Sequence, residues 1–259
     1  MSTEIKLFSI PNLITCGNIF CGAIATVLAF QGYDYLVYAT LFIYLGAIFD
    51  FFDGMAARAL KSFSAIGKDL DSLADMVSFG VAPAAVVFSL MRHALMGRAT
   101  VPPDGMATIT VLMLLIPLLN VVFSGLRLAK FNIDTRQTTS FIGLPTPANA
   151  MLLSSFPVVL HFYPATLIYQ HIFLNPIFLA CICLLECYLL ISEIPMFSLK
   201  FKTLAFADNK LRFIFLGVVA IEVVLMQLAA LPFIILTYIA FSFIGNLGKK
   251  ETQEQIEQV

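Results

Sequence analysis

Long apolar runs are the feature that most limits how this chain can fold. A helix needs about 20 mostly apolar residues to cross the hydrocarbon core of a bilayer. Eight runs near this length are separated by proline, glycine or charged residues, at about 11–31, 35–60, 67–91, 106–127, 144–163, 166–192, 211–229 and 231–246. Charged residues make up only 12% of the 259 residues, against roughly 25% in soluble domains. The sequence therefore predicts an all-α, polytopic membrane bundle of about eight transmembrane helices and excludes a soluble fold.

The boundaries of these runs predict one domain and a short tail. Pro11, Pro145 and Pro232 stand near predicted helix starts, where the missing N–H costs little. The break at 229–232 is short, which leaves open whether the last two runs form two helices or one kinked helix. Residues 1–248 are expected to form a single integral membrane domain. Residues 249–259 are charged and polar, and they predict a disordered cytoplasmic tail.

The distribution of basic residues predicts the orientation in the membrane. If the N-terminus lies inside, only Arg92 and Arg98 of the 15 basic residues fall outside. The inside set is Lys6, Arg58, Lys61, Lys68, Arg127, Lys130, Arg136, Lys200, Lys202, Lys210, Arg212, Lys249 and Lys250. By the positive-inside rule, both termini are expected in the cytoplasm.

Charge and cysteine content exclude two further classes. The formal net charge is -1, with no basic tail or stripe of the kind that binds nucleic acid. The five cysteines form an odd set within apolar runs. They are therefore interpreted as small buried residues, and neither a disulfide framework nor a zinc site is expected.

A cluster of acids interrupts this apolar pattern. Five aspartates fall within 26 residues, namely Asp50, Asp53, Asp69, Asp71 and Asp75. A carboxylate at the centre of a membrane helix costs roughly 2.5–3.5 kcal/mol, so acids within membrane helices indicate a functional site. Some positive charge must compensate for them.

Helical spacing places four of these acids in two pairs. Asp50 and Asp53 are i, i+3 neighbours on the second helix, whereas Asp71 and Asp75 are i, i+4 neighbours at the start of the third. A short loop makes the two helices antiparallel neighbours, so the pairs can face each other. Oxygen ligands without His or Cys suit Mg²⁺ or Mn²⁺. The alternative, that Asp71 and Asp75 only complement a helix dipole, leaves four mutually repelling carboxylates without compensation.

The neighbours of the acids predict a phosphate ligand. Gly54 and Ala57 leave the backbone open to a ligand, although small residues there also suit helix packing. Arg58, Lys61 and Lys68 add positive charge, either as ordinary cytoplasmic anchors or as ligands for phosphate. Metal-binding acids beside cations form a site matched to a substrate that carries several phosphates.

The same residues carry a family resemblance. The segment from Asp50 to Asp75 follows the pattern D-x2-D-G-x2-A-R-x8-G-x3-D-x3-D at every fixed position. It resembles the signature of the CDP-alcohol phosphotransferases, membrane enzymes that transfer a substituted phosphate from a CDP-linked donor to an alcohol and release CMP. The resemblance implies that two divalent metals, Mg²⁺ or Mn²⁺, are held by Asp50, Asp53, Asp71 and Asp75, and that Asp75 is also the general base. It further implies that Gly54, Ala57, Arg58 and Gly67 form the nucleotide and phosphate pocket. A homodimer in the cytoplasmic membrane of a prokaryote, with the active site near the cytoplasmic face, is implied as well.

Other segments indicate the acceptor alcohol. Residues 10–15, 78–83, 127–132 and 141–148 resemble the branch of the family that uses CDP-diacylglycerol as donor and L-serine as acceptor. Arg127 and Lys130 can supply a cation for the serine carboxylate, although glycerol 3-phosphate, the acceptor of a phosphatidylglycerophosphate synthase, would need cations too. Candidate acceptor-binding residues are Arg127, Lys130, Asn132, Gly143 and Pro145.

A polar face on the first helix completes the predicted site. Asn12, Thr15 and Asn18 are spaced by three and share this face. Asn12 and Thr15 are candidate nucleotide or phosphate contacts, with hydrogen bonding between helices as the alternative. Glu186 and Glu222 lie in predicted spans without an evident role.

Two other classes of function use intramembrane acids. A membrane prenyltransferase also binds a diphosphate through aspartates and Mg²⁺, but such enzymes usually carry two separated acidic motifs, and this chain has one cluster. A cation transporter would use the acids as ion ligands, but transporters often show inverted repeats, and none is visible in the sequence.

Overall fold

Helices form nearly all of this protein. The computed structural model describes residues 7–62, 64–97, 107–136, 141–199, 205–206 and 209–257. The helices in these ranges are α1 (Ile10–Gln31), α2 (Leu36–Ala59), α3 (Ala65–Asp75), α4 (Ala82–Met96), α5 (Ala107–Ile133), α6 (Thr146–Phe162), α7 (Leu167–Phe173), α8 (Pro176–Ile191), α9 (Lys210–Met226) and α10 (Ala230–Glu257). Two short strands, β1 (Phe141–Ile142) and β2 (Pro195–Met196), pair antiparallel and form what we call the β1–β2 ribbon.

Capping residues define several helix starts. Ser9 caps α1 by accepting a hydrogen bond from the Asn12 N–H, with Pro11 in the first turn. Ser64 caps α3 by accepting one from the Gly67 N–H. Both caps satisfy backbone donors that the helix itself leaves unpaired. The two capped ends lie beside the acids described below.

The chain is an integral membrane protein of the all-α, polytopic class, as predicted. Five segments are long and apolar enough to cross a bilayer: Ile10–Gln31, Tyr33–Ala59, Ile66–Met96, Ala107–Ile133 and Lys210–Asn246. A sixth is the pair α7 and α8, bent by 59° at its break. Helix α6 has 17 residues, which is about 25 Å of rise, at the lower limit for crossing. Eight crossings and the side of each terminus stay predictions.

The segment Lys210–Asn246 folds back on itself and forms what we call the C-terminal hairpin (α9 and α10). The Thr237 hydroxyl donates a 2.5 Å hydrogen bond to Glu222. The rings of Phe215 and Phe241 lie 5.8 Å apart, whereas 26 residues of straight helix would separate them by about 39 Å. Gln227, at φ 52°, makes the turn. The last two apolar runs are therefore two antiparallel helices, and the turn precedes the predicted break at 229–232.

Two helix ends differ from the sequence-based expectation. Helix α5 continues to Ile133, six residues past the predicted end, so the cations of this region lie on the helix. Helix α10 continues to Glu257, through most of the tail that was predicted to be disordered, because Lys, Glu and Gln are good helix formers. Some predicted positions fall outside the described residues: Lys6, Arg98, Lys200, Lys202, residues 258–259 and the side chains of Lys249 and Lys250.

Two apolar cores organise the bundle. The larger one joins α1, α2, α4, α6 and α8 through buried residues such as Ile43, Leu90 and Phe156. The smaller one joins the ribbon and the C-terminal hairpin through Met196, Phe215 and Tyr238. All five cysteines are free, as predicted, but Cys16 and Cys181 are exposed. The prediction that all are buried is wrong for these two, which lie on the outer surface of their helices.

Candidate active site

Helices α2 and α3 bring three of the four motif acids together. The loop between them reverses the chain at Lys61, which has a φ of 49°. One carboxylate oxygen each from Asp50, Asp53 and Asp71 lies within 4.8 Å of the other two. The predicted convergence of the two acidic pairs is thus present for these three acids. Three hard oxygen ligands at this separation suit a divalent cation.

Asp75 is the last residue of α3 and lies beside the other three acids. Its Oδ1 atom is buried and has no hydrogen-bond partner within the described part of the chain. A π-helical segment, Met76–Val81, follows it directly. The Ser78 hydroxyl in this segment donates to the Asn18 carbonyl at 2.8 Å, which fixes the segment to α1. An unpaired carboxylate oxygen is available to a metal ion or a substrate proton.

Helix α1 contacts the acids through Thr15. The Thr15 hydroxyl donates to Asp53 Oδ2 at 2.6 Å, and both side chains are buried. Thr15 therefore links two helices and also orients a predicted metal ligand. This bond is the hydrogen bonding between helices that the sequence left as the alternative for Thr15, and a contact with the nucleotide or phosphate stays a prediction for a residue that also lines the cavity over the acids.

A cavity of about 540 Å³ opens over the acids. Its walls contain all four motif acids and most of the other predicted site residues. The lining is Pro11, Asn12, Thr15, Asp50, Asp53, Gly54, Ala57, Arg58, Ser62, Ser64, Gly67, Lys68, Asp71, Asp75, Arg127, Phe131, Phe141, Pro145 and Pro147. Residues from α1, α2, α3 and α5 and from the segment before α6 thus meet at one site.

The glycines of the motif allow close approach to this cavity. A Cβ atom on Gly54 would meet no atom within 4 Å except the Arg58 guanidinium, at 3.7 Å. This supports an open backbone at Gly54, since no second helix packs there. A Cβ on Gly67 would lie 3.0 Å from Ser64 Oγ and 3.2 Å from Asn12 Oδ1. Gly67 therefore lets α3 begin close to α1.

Arg127 supplies a cation to the wall of the cavity. Its side chain is 5% exposed, and its guanidinium carbon lies 4.8 Å from the centroid of the Phe131 ring. Within the described residues, no carboxylate lies within the 4.0 Å that defines an ion pair with it. Stacking on the ring stabilises the guanidinium and leaves its N–H groups available to an anionic ligand.

Three predicted acceptor residues do not line the cavity. Lys130 donates to Glu193 at 2.5 Å and to the Ile191 carbonyl at 3.3 Å. Lys130 and Arg136 together hold the pKa of the exposed Glu193 carboxyl below its usual value. The Asn132 amide donates to Ser72 at 2.8 Å and holds α5 against α3. These contacts connect the end of α5 to its neighbours.

Gly143, the third of these residues, has a conformational role. Its φ is 75°, and a Cβ there would lie 2.6 Å from the Leu190 carbonyl oxygen. The position therefore requires glycine. Its N–H donates to the Ile194 carbonyl at 2.9 Å, which holds the segment before α6 against the end of α8.

Sequence reasoning missed several residues of the cavity wall. Phe131 lies one helical turn after Arg127, a spacing that could have revealed the stacked pair. Phe141 reaches the cavity through the β1–β2 ribbon, for which the sequence carries no local signal. Glu186, which the sequence left without an evident role, does not line this cavity. It is fully buried, and neither carboxylate oxygen has a hydrogen-bond partner within the described residues.

Comparison with known proteins identifies the family. The model of the CDP-alcohol phosphatidyltransferase family matches residues 8–188, more than two thirds of the chain. The chain is 40% identical over 144 residues to the CDP-diacylglycerol–serine O-phosphatidyltransferase of Bacillus subtilis (strain 168), which covers 56% of this chain and 72% of the relative. It is 37% identical over 149 residues to the enzyme of that name in Helicobacter pylori (strain J99), which covers 57% of this chain and 56% of the relative.

An archaeal relative has a different lipid in its name. The archaetidylserine synthase of Methanothermobacter thermautotrophicus is 31% identical over 153 residues, which is 58% of this chain and 58% of the relative. The family match ends within α8 and does not include the C-terminal hairpin. Within that match lie the whole acidic motif and Arg127. The chain therefore belongs to the CDP-alcohol phosphatidyltransferase family.

Proposed function

We propose that this protein is a phosphatidylserine synthase, which transfers the phosphatidyl group of CDP-diacylglycerol to the hydroxyl of L-serine and releases CMP. The observation that carries this proposal is the single cavity shared by the four acids and a buried cation, Arg127. The acids can bind the diphosphate of the donor through divalent cations, and the Arg127 guanidinium can bind an anionic acceptor. The names of the bacterial and archaeal relatives support serine as that acceptor.

Asp50, Asp53, Asp71 and Asp75 would hold the divalent cations. The carboxylate oxygens of the first three converge, and Asp75 adds an unpaired one. Mg²⁺ or Mn²⁺ fits this all-oxygen set. When bound, such ions stabilise charge on the phosphoryl oxygens. Asn12, Gly54, Ala57, Arg58 and Gly67 line the same cavity and would contact the nucleotide and its phosphates.

Asp75 is the proposed general base. It accepts the proton of the serine hydroxyl, whose oxygen forms a bond to the β-phosphorus of CDP-diacylglycerol. The bond from that phosphorus to the bridging oxygen breaks, and CMP leaves with the electron pair. The unpaired Oδ1 of Asp75 supports this role, because a base needs a free lone pair within reach of the proton.

Arg127 is the proposed partner of the serine carboxylate. The planar guanidinium can bind a carboxylate through two parallel N–H bonds. Pro145 and Phe131 line the wall beside it. Lys130, Asn132 and Gly143 would act indirectly, since their contacts fix the end of α5 and the segment before α6.

The proposed setting is the cytoplasmic membrane of a prokaryote, with the site near the cytoplasmic face and the enzyme a homodimer. The positive-inside distribution supports this orientation, since Arg58, Lys61 and Lys68 stand at the end of the molecule that carries the acids. The dimer is proposed from the family resemblance alone. Mass measurement of the protein in lipid nanodiscs would test it, and a single chain per disc at all concentrations would contradict it.

The acceptor can be tested directly with purified protein. CMP release from CDP-diacylglycerol would be measured with serine, glycerol 3-phosphate and inositol in parallel assays. We expect release with serine only, and release that is slower by at least about 10²-fold from Asp75→Asn under the same conditions. Release with glycerol 3-phosphate alone would instead indicate a phosphatidylglycerophosphate synthase. If none of the three acceptors leads to CMP release, the proposal is contradicted.

A further inference from the structure

The C-terminal hairpin lies outside the segment that matches the family, yet it is tied to the wall of the cavity. Its helices pack along their length, with Gly245 of α10 against Leu211 of α9. Most of α9 is exposed and apolar, as for Val224 at 77%, which fits a surface that faces lipid. The inner side of the hairpin packs in the smaller core, through Phe215 of α9 and Tyr238 of α10.

Three side chains of the hairpin bind one short stretch of backbone. The Tyr238 hydroxyl donates to the Phe197 carbonyl at 3.0 Å. The Asn246 amide donates to the Pro195 carbonyl at 2.6 Å, and the Arg212 Nε donates to the Ser198 carbonyl at 2.7 Å. These carbonyls belong to β2 and the two residues after it. The hairpin therefore fixes β2 by specific polar bonds as well as by apolar packing.

The β1–β2 ribbon transmits this restraint to the cavity. Phe141 of β1 pairs with Met196 of β2. The Phe141 ring lies 6.3 Å from the Phe131 ring, on which Arg127 is stacked. Phe141, Phe131 and Arg127 all line the cavity, whereas none of the described side chains of α9 or α10 does. A displacement of β2 would move this aromatic pair and, with it, the guanidinium.

We infer that the C-terminal hairpin is a positioning element for the acceptor side of the active site, with Tyr238 and Asn246 as its positioning residues. They hold β2, the ribbon holds Phe141, and Phe141 with Phe131 sets the place of Arg127. The inference rests on the proposed function, since it assigns Arg127 to the acceptor. The contacts that lead from the hairpin to Arg127 do not include the acids of α2 and α3, so we expect donor binding to change less than acceptor binding when the hairpin is altered.

The decisive experiment is steady-state kinetics of Tyr238→Phe with both substrates varied. This change removes one hydroxyl and leaves the ring in place. Loss of one neutral hydrogen bond corresponds to roughly a two- to tenfold change in an equilibrium constant, and we expect the KM for serine to rise by that factor. The kcat and the KM for CDP-diacylglycerol should change by less than about twofold. The matched control is Tyr188→Phe, on the exposed face of α8, which should leave all three constants unchanged.

A second variant and a double variant keep the test independent of folding defects. Asn246→Leu removes the hydrogen bond to the Pro195 carbonyl. It should raise the serine KM and leave the kcat and the donor KM nearly unchanged. Arg127→Lys combined with Tyr238→Phe should raise it by less than the product of the single effects, because both act on one guanidinium. An unchanged serine KM in both hairpin variants, equal rises for both substrates, or full multiplicativity would overturn the inference. If the wild type releases no CMP with serine, the proposed function fails instead, and the same comparison is made with the acceptor that it does use.

Discussion

Asp75 differs from the other three motif acids in its environment. Asp50, Asp53 and Asp71 place oxygens within 4.8 Å of one another, and Asp53 also accepts a bond from Thr15. Asp75 keeps one buried oxygen without a partner in the described structure. We therefore propose that Asp75, which also helps to hold the metal ions, is the carboxylate that accepts the proton, through this unpaired oxygen.

Substitution of Asp75 tests this division. Asp75→Asn keeps the shape and one oxygen but removes proton acceptance, so kcat should fall by at least about 10²-fold, the lower end for loss of a general base. Affinity for the donor, measured by equilibrium binding, should change much less. Asp71→Asn is the comparison, because the loss of a metal ligand should be partly recovered at high metal concentration. A kcat for Asp75→Asn close to that of the wild type at saturating serine would show that another group is the base.

Arg127 is the residue on which the assignment of the acceptor depends. Arg127→Lys keeps the charge but loses the planar fork that binds a carboxylate through two N–H groups. Loss of a charged hydrogen bond is worth roughly 1.5–3 kcal/mol, so the KM for serine should rise about ten- to a hundredfold. Kinetics with both substrates varied give the answer. A rise in the donor KM instead would assign Arg127 to the phosphates, and no change would leave it a structural cation.

At the scale of secondary-structure elements, the segment before α6 needs a glycine at position 143 to keep its backbone conformation. Gly143→Ala would place a Cβ 2.6 Å from the Leu190 carbonyl at a φ of 75°. A strained backbone of this kind costs roughly 1–3 kcal/mol, so the melting temperature should fall, and the serine KM should rise because Pro145 lies two residues away. Gly217→Ala on exposed α9 meets no atom within 4 Å and should leave the protein equally or more stable. Equal melting temperatures for the two variants would contradict the assigned role of Gly143.

The sequence predicted the elements that carry the acids better than those that surround them. Helical spacing and a short loop suffice to bring Asp50 and Asp71 together, because both lie within one helix pair. The β1–β2 ribbon joins residues about 55 positions apart, and two-residue strands have no periodicity to detect. The extension of α5 to Ile133 was missed because the apolar run ends at Arg127, whereas the backbone stays helical for six more residues. The position of Phe141 depends on pairing with β2, and the turn at Gln227 depends on packing between α9 and α10. Neither could be predicted from residue spacing.

At the scale of the whole molecule, the acids connect metal binding with the stability of the fold. Mutually close carboxylates repel one another without a cation, so a bound metal should stabilise the folded state. EDTA should abolish CMP release, and Mg²⁺ or Mn²⁺ should restore it. Either metal should raise the melting temperature of the wild type but raise that of Asp71→Asn much less at the same concentration. Full activity after exhaustive chelation would contradict the metal site.

The orientation of the molecule decides from which side of the membrane serine can reach the acids. If the acids open to the cytoplasm, labels at Lys61 and Arg136 must react from that side and a label near Asp104 from the other. Single cysteines would be introduced as Lys61→Cys, Arg136→Cys and Asp104→Cys in a background without the five native cysteines. A membrane-impermeant maleimide should label only Asp104→Cys in intact cells and all three variants in permeabilised cells.

The turn of the C-terminal hairpin gives a further test of the orientation. Gln227→Cys should be labelled like Asp104→Cys, because α9 and α10 cross the membrane in opposite directions and their turn lies on the outer side. Labelling of Asp104→Cys and Lys61→Cys from the same side would remove the crossing between them and contradict the eight-span orientation.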